Sequence, residues 1–458
     1  MNSPRAELRQ LVRLAVPIAI AQVGVALMGL VDTAVVGRLG AGPLGAVGLA
    51  NGLFFGIAVI GIGVMMGFDP LISQAVGAGE YGRARDLLWQ TLWLALIVSA
   101  ILSVPIAVAP AILSAAGIEP TVASDARLFM FFRLPGLAPL LMFVGVRSYL
   151  QAAGKVGALV ASTVLGNVCN LLGDLLLVYG GSWLPPWAGI LRRVPSFGAP
   201  GAGLCTSVCT VIQLLVLLLA AQRLAMHSHV SSRRPRRRDL LKASAVGVPV
   251  GLQMGAEVGI FALVGILAGR LGRESLAAHQ IAIALASFTF CAALGLGSAG
   301  SVRVGWAVGA GDRSGARRSG LVAFAVGATL MAAFGCAFWL VPGALARLLT
   351  DQPEIVAAAI PVLGVCAFFQ ISDGAQAVGA GVLRGAGDTR FPFLANLTGH
   401  YLVGFPVALL LGFNLGMGVT GLWWGLCAGL SSVAVALFGR FWILSSRKIA
   451  RLDEMQDP

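Results

Sequence analysis

The sequence predicts an all-α integral membrane protein: twelve transmembrane helices in two pseudo-symmetric six-helix lobes. Three observations predict it. Of 458 residues, 58% are hydrophobic and 11% charged, against about 45–50% and about 25% in soluble domains, too few charges to cover a globule of 47.1 kDa. Apolar runs long enough to cross a bilayer recur twelve times. The two halves of the chain also repeat each other at a fixed offset.

A spanning helix needs about 20 mostly apolar residues, and such runs centre near residues 23, 56, 99, 139, 168, 211, 256, 288, 330, 369, 402 and 431. The first follows Arg5, Arg9 and Arg13 but is longer than the apolar core of a cleaved signal, and no small-residue cleavage site follows it. An even number of spans puts both termini on one side. Assigning the loops alternately places 24 of the 32 Lys and Arg residues on that side. Basic residues concentrate in cytoplasmic loops, so both termini are expected in the cytoplasm, with a bacterial inner membrane as the setting.

The repeat offset is 232 residues. It relates Pro17 to Pro249, Gly37-Arg-Leu-Gly40 to Gly269-Arg-Leu-Gly272, and Val76-Gly-Ala-Gly79 to Val308-Gly-Ala-Gly311. A later pair, Leu150-Gln-Ala-Ala-Gly154 and Leu383-Arg-Gly-Ala-Gly387, needs 233. The predicted division is an N-terminal lobe over 1–225, a basic cytoplasmic linker over 226–241 that holds SSRRPRRR at 231–238, and a C-terminal lobe over 242–458. Parallel repeats are a common transporter construction with binding between the halves. A repeat is architecture, however, and leaves function to the residues that break it.

Several classes are disfavoured. The net charge of +13 would suit a nucleic-acid binder if the basic residues formed one face interleaved with aromatics; here they sit between apolar runs, where topology accounts for them. All seven cysteines lie in apolar segments without metal-ligand spacing and read as small packing residues, with no disulfide framework. No Gly-Lys-Ser/Thr follows either Val-Gly-Ala-Gly, so neither is a P-loop. His279 and His400 form no metal or nucleophile arrangement and read as hydrogen-bonding core histidines. Without a convergent nucleophile or metal set the chain is not expected to be an enzyme, and no cofactor is implied beyond a coupling ion.

What breaks the repeat is a small set of intramembrane acids, each costing at least a few kcal/mol unless it is used or paired. Asp32 lies six residues before Arg38, which at about 1.5 Å per residue puts it roughly 9 Å inside the outer end of its span. Its repeat equivalent is Val264. A salt bridge to Arg38 is the plain alternative. In the fifth span Asn167, Asn170 and Asp174 share one helical face. Together with Asp32 they would suit a hard cation such as Na⁺ or, through neighbouring carboxylates, proton exchange. An interhelical hydrogen-bond cluster would explain the asparagines but not Asp174. In the second half Glu257 is mid-span and Asp373 lies in Phe369-Gln-Ile-Ser-Asp-Gly-Ala-Gln376, where the first half has Val25 and Leu140. That is the pattern of two functional sites on one duplicated scaffold. Pro17, in the same span as Asp32, permits a kink or is simply tolerated there.

Taken together, Val31-Asp-Thr-Ala-Val-Val-Gly37, Met66-Gly-Phe-Asp69 with Ser73-Gln-Ala-Val-Gly-Ala-Gly79, Ala277-Ala-His-Gln-Ile281 and Leu383-Arg-Gly-Ala-Gly-Asp-Thr389 resemble the multidrug and toxic compound extrusion (MATE) family over essentially the whole chain. The resemblance implies two six-helix lobes that open alternately outward and inward, exporting organic cations or amphiphilic drugs against inward-moving Na⁺ or H⁺. It implies an ion-coupling site at Asp32, Asn170, Asp174 and Thr206, with Na⁺ as the metal ion it would hold. It further implies a second acidic site for drug or ion at Glu257 and Asp373, and a hinge at Pro17. The C-lobe acids and Ala-His-Gln-Ile are similar to the NorM-like branch, and an acid at Asp174 is similar to DinF-like members.

Phe288, Phe290, Phe368 and Phe369 would offer a cationic drug adaptable apolar contact. The expected partners are small organic cations and the bilayer, with no nucleic acid, and the expected working unit is a monomer. The alternative is export of a lipid-linked or other endogenous amphiphile on the same fold. Its anionic headgroup calls for arginines inside the spans, whereas the buried charges read here are acids.

Overall fold

The computed structural model describes residues 4–115, 117–224 and 233–454; the front of the predicted linker, with Ser231 and Ser232, lies outside the described residues. Among the described residues twelve helices are long and apolar enough to span a membrane: α1 (Arg5–Gly37), α2 (Ala41–Gly77), α3 (Tyr81–Leu113), α4 (Pro120–Ala152), α5 (Gly157–Tyr179), α6 (Ala199–Arg223), α7 (Arg237–Arg270), α8 (Arg273–Gly309), α9 (Arg313–Leu340), α10 (Pro353–Gly385), α11 (Arg390–Asn414) and α12 (Gly418–Ser445). Each predicted centre falls inside one of them, and the described residues contain no strand.

The repeated glycines have a conformational cause. Gly40 and Gly272 have φ of 119° and 118°, and Gly79 and Gly311 have 77° and 70°, values that a residue with a Cβ rarely adopts. Each ends a helix and turns the chain into the next span. Within the spans the ladder is interrupted where the sequence demands it. α4 tightens to a three-residue turn at Leu134–Gly136 around Pro135, and α11 widens to i→i+5 bonding over Thr398–Gly404 and Leu410–Asn414. α1 runs unbroken through Pro17, whose missing N–H leaves the Arg13 carbonyl without its helical donor.

The chain forms two compact units. One holds Met1–Gln22, Asp69–Glu80 and Ala245–Pro458; the other holds Val23–Phe68 and Tyr81–Ser244. This division differs from the sequence cut at 226–241, because the start of α1 and the end of α2 group with the second half. Polar contacts inside that unit explain the grouping. Arg303 makes a two-pronged pair with Glu7 at 2.9 and 2.5 Å, Arg384 lies 3.1 Å from Asp69, Gln74 donates to the Gly385 carbonyl at 3.1 Å, and Arg451 reaches Glu80 at 2.7 Å. Asp239, the repeat equivalent of Glu7, makes the matching two-pronged pair with Arg83 in the other unit, at 2.8 and 2.6 Å.

The core of the first unit runs through Ile260 and Val264 of α7, Ala278 and Ala282 of α8, Leu363 and Phe369 of α10, and Trp423 and Leu430 of α12. Val264, where the repeat would place an Asp32, is thus a fully buried packing residue. In the second unit Cys205 and Cys209 pack with Met28. All seven cysteines are free thiols.

One local device yields a test. Asp312 caps α9, accepting from the Gly315 N–H and the Ser314 hydroxyl, each at 2.8 Å. The Gly315 N–H, with the Ser314 hydroxyl second, holds the Asp312 carboxyl below its ordinary value. Asp312→Ala is expected to cost about 1 kcal/mol at neutral pH, read as a lower thermal midpoint in detergent. A depressed carboxylate stabilises above its unfolded value of about 4 and loses that contribution as pH falls through the folded one. The gap between variant and wild type should therefore close in acid.

Candidate functional site

In the second unit, Asp32 is 1% exposed inside α1, and two other helices hold its carboxylate. Asn170 Nδ2 of α5 donates to Oδ1 at 2.9 Å, and Thr206 Oγ1 of α6 lies 2.9 Å from Oδ2. The same hydroxyl lies 2.9 Å from the Ala202 carbonyl. It has one hydrogen, so it can serve the acid or its own helix, and turning to Ala202 would leave a lone pair facing the site. Asp174 follows Asn170 by one turn of α5 and is fully buried, within electrostatic reach of Asp32. Asn170 Oδ1 and both Asp174 carboxylate oxygens receive no hydrogen bond. The structure therefore brings Asp32, Asn170, Asp174 and Thr206 together. Asn167 does not join them; its amide donates to the Gly24 carbonyl at 2.8 Å and ties α5 to α1.

Arg133 joins the cluster without having been legible in the sequence. It belongs to α4, in Phe131-Phe-Arg-Leu-Pro-Gly136, and Nη1 is 3.9 Å from Asp32 Oδ2. Its guanidinium lies over the ring of Phe54, 4.7 Å from the centroid. The charged partner of Asp32 is thus Arg133 and not Arg38, and the charges inside the spans are not all acids. The available signal was an arginine flanked by aromatics inside a spanning run.

The first unit contains Glu257 and Asp373. Gln376 Nε2, one turn after Asp373 on α10, donates to Glu257 Oε2 at 3.2 Å. Asp373 is 4% exposed and within electrostatic reach of Glu257. Around them Gln376 Oε1, Gln370 Nε2 and both side-chain polar atoms of Asn396 are buried without a partner, a polar surplus not apparent from the sequence. His279 is the core histidine expected, accepting at Nδ1 from Trp423 Nε1 at 3.2 Å. His400 is not: neither ring nitrogen has a partner, and the ring lies beside Phe261, 6.5 Å between centroids. Of the four phenylalanines, Phe369 is core, 5.4 Å from Trp423, and unavailable to a ligand. Phe368 is half-exposed and meets Trp339 edge-on and Trp424 at a tilt; Phe288 is exposed, and Phe290 packs beside Met331.

No three His, Cys, Asp or Glu side chains group to hold a metal among the described residues. Oxygen-rich acid clusters on a duplicated set of apolar spans define a membrane transporter. The MatE family model matches residues 17–176 and again 249–410, and the two matches start at the residues the repeat pairs, Pro17 and Pro249. Over 444 residues the chain is 35% identical to the multidrug resistance protein NorM of Burkholderia vietnamiensis, covering 96% of this chain and 94% of that one. It is 34% identical over 449 residues to the probable multidrug resistance protein NorM of Deinococcus radiodurans, covering 96% of each. Its fold is that of a eukaryotic MATE transporter, TM-score 0.83 at 22% identity over 97% of each chain. It is also that of an outward-facing multidrug resistance MATE family transporter of the MOP superfamily, TM-score 0.84 at 20% identity, covering 98% and 97%. The chain belongs to the MatE family of multidrug transporters.

Proposed function

We propose that the protein is a secondary active multidrug exporter in which Asp32 and Asp174 carry a monovalent coupling cation, Na⁺ or H⁺, inward as an organic cation or amphiphilic drug moves out. The observation that carries this reading is the trio of buried acceptor oxygens without donors, Asn170 Oδ1 and both oxygens of Asp174, beside the held carboxylate of Asp32. Each such acceptor costs about 1–3 kcal/mol, more when charged. A proton on Asp174 converts one acceptor into a donor. Na⁺ would instead use the free oxygens of Asn170 and Asp174 with Asp32, while Thr206 turns its hydrogen to Ala202.

Two acids against one Arg133 leave the cluster one charge short of neutrality, which fits a single monovalent cation. Occupancy drives transport only if the filled site favours one conformation over another; Pro17, where the α1 ladder is weakened, is the proposed hinge. Glu257 and Asp373 would attract the cationic part of a drug. The multidrug resistance names of the NorM relatives support the substrate class, and the basic excess on the side of the termini supports a cytoplasmic placement for both.

Export of an anionic lipid-linked amphiphile is the second reading, and Arg133 is the observation that favours it. Its guanidinium is engaged by Asp32 and Phe54, however, and the remaining acids would repel such a headgroup. The deciding experiment is ethidium efflux from proteoliposomes with a Na⁺ gradient and a pH gradient imposed separately. Saturable export driven by one gradient is expected and identifies the ion. Folded protein that moves no dye under either gradient would overturn the drug assignment.

A further inference from the structure

Within the second unit, α3 and the first half of α4 leave a groove of about 420 Å³. Its walls are apolar: Ile106 and Pro110 from α3, Leu128 and Phe131 from α4. Two polar side chains interrupt them, Ser124 and Arg127, one turn apart on the same face of α4. The groove opens beside the aliphatic stripe of α3, where Ile101, Val104, Val108 and Ile112 are 60–64% exposed, the surface of a helix that faces hydrocarbon. Pro105 and Pro110 lie inside α3 and remove two ladder donors, those that would serve the carbonyls of Ile101 and Ile106.

Arg127 is exposed and has no ion-pair partner among the described residues. The positions three and four residues away along its helix are Ala123, Ser124, Met130 and Phe131, so no acid shares its face; Asp125, two residues before it, projects elsewhere. It stands seven residues into α4, about 10 Å from the helix start. An unpaired guanidinium on an apolar outer face is costly unless it reaches the headgroup layer or an anion comes to it. The anion that every bilayer presents at that depth is a lipid phosphate.

We propose that this groove seats an anionic phospholipid of the surrounding bilayer. Its phosphate lies on Arg127 and Ser124, and one acyl chain runs over Ala107 of α3 and Leu128 and Phe131 of α4, with Ile106 and Pro110 packed beneath it. The ligand class is set by the combination: the cation selects charge, and the apolar walls select a chain that a free phosphate lacks. The seat uses none of Asp32, Asn170, Asp174 or Thr206, and the proposal does not depend on which ion or drug the protein moves.

The test is native mass spectrometry of the full-length protein in mild detergent, titrated in parallel with phosphatidylglycerol and phosphatidylcholine of identical acyl chains. Wild type is expected to retain phosphatidylglycerol about fivefold more strongly, the effect of one basic side chain at an anionic surface. Arg127→Gln should bring that ratio to about one. Ala107→Phe, at another position on the groove wall, should weaken retention of both lipids by filling the seat. Both residues are exposed, and thermal melting confirms that each variant is folded. A preference for phosphatidylglycerol that survives in folded Arg127→Gln would overturn the proposal. So would displacement of the lipid by equimolar glycerol 3-phosphate, which would make the headgroup alone the ligand. Undiminished retention of both lipids in Ala107→Phe would place the lipid elsewhere.

Discussion

Asp32→Asn is expected to abolish gradient-driven efflux while leaving the protein folded. The amide keeps the shape of the carboxylate and one acceptor oxygen, so α1, α5 and α6 remain packed. What is lost is the charge that Asn170 and Thr206 address from two helices at 2.9 Å each and that Arg133 faces at 3.9 Å. With that acid neutral, Arg133 balances Asp174 and the cluster no longer lacks a cation. Hydrogen bonds to a charged group are worth about 1.5–3 kcal/mol each, so losing even one or two charge-assisted contacts to the ion should slow coupled efflux by about a hundredfold or more. Ethidium efflux under the gradient that drives wild type measures it, with thermal melting in parallel. Efflux at the wild-type rate would remove Asp32 from the coupling machinery. Asp174→Asn separates function from stability: it gives the buried pair a donor, so the melting temperature should rise while coupling is lost. Sites shaped for transport commonly show this trade.

Much of this was readable because hydropathy and helix caps are local. Twelve apolar runs define twelve spans wherever the chain places them, and the repeated glycines mark turns because their positive φ is one that a residue with a Cβ rarely adopts. Asp32, Asp174, Glu257 and Asp373 were legible for a related reason: a carboxyl inside an apolar run is expensive on its own terms. Arg133 was not, since a tightened turn at Leu134–Gly136 sits beside it and its basic charge reads equally well as topogenic. Gln376 and Asn396 carry no charge to draw attention, yet they are buried beside the second pair of acids. The membership of Met1–Gln22 and Asp69–Glu80 in the unit of the second half left no trace in periodicity. It rests on contacts between residues hundreds of positions apart, such as Gln74 with Gly385, and no local window contains both partners.

The strongest of those distant contacts gives the second large effect. Arg303→Met is expected to destabilise the protein by about 3–5 kcal/mol, the cost of stranding one member of a buried ion pair. Glu7 is 1% exposed, and its carboxylate accepts from Arg303 Nε at 2.9 Å, from a second guanidinium nitrogen at 2.5 Å and from the Ser319 hydroxyl at 2.7 Å. Methionine keeps most of the arginine's length against Trp306, over whose ring the guanidinium now lies at 5.4 Å, so packing loss is minor and the stranded charge dominates. The double variant Glu7→Met with Arg303→Met removes both charges and should recover most of the loss, because two buried ions give up their hydration to meet. Thermal melting of the four proteins in detergent closes the cycle, and the expected sign is a large coupling between the two positions. A small loss in Arg303→Met, below about 1 kcal/mol, would mean that Glu7 is hydrated or protonated without its partner. The start of α1 would then owe its place in the unit to apolar packing alone.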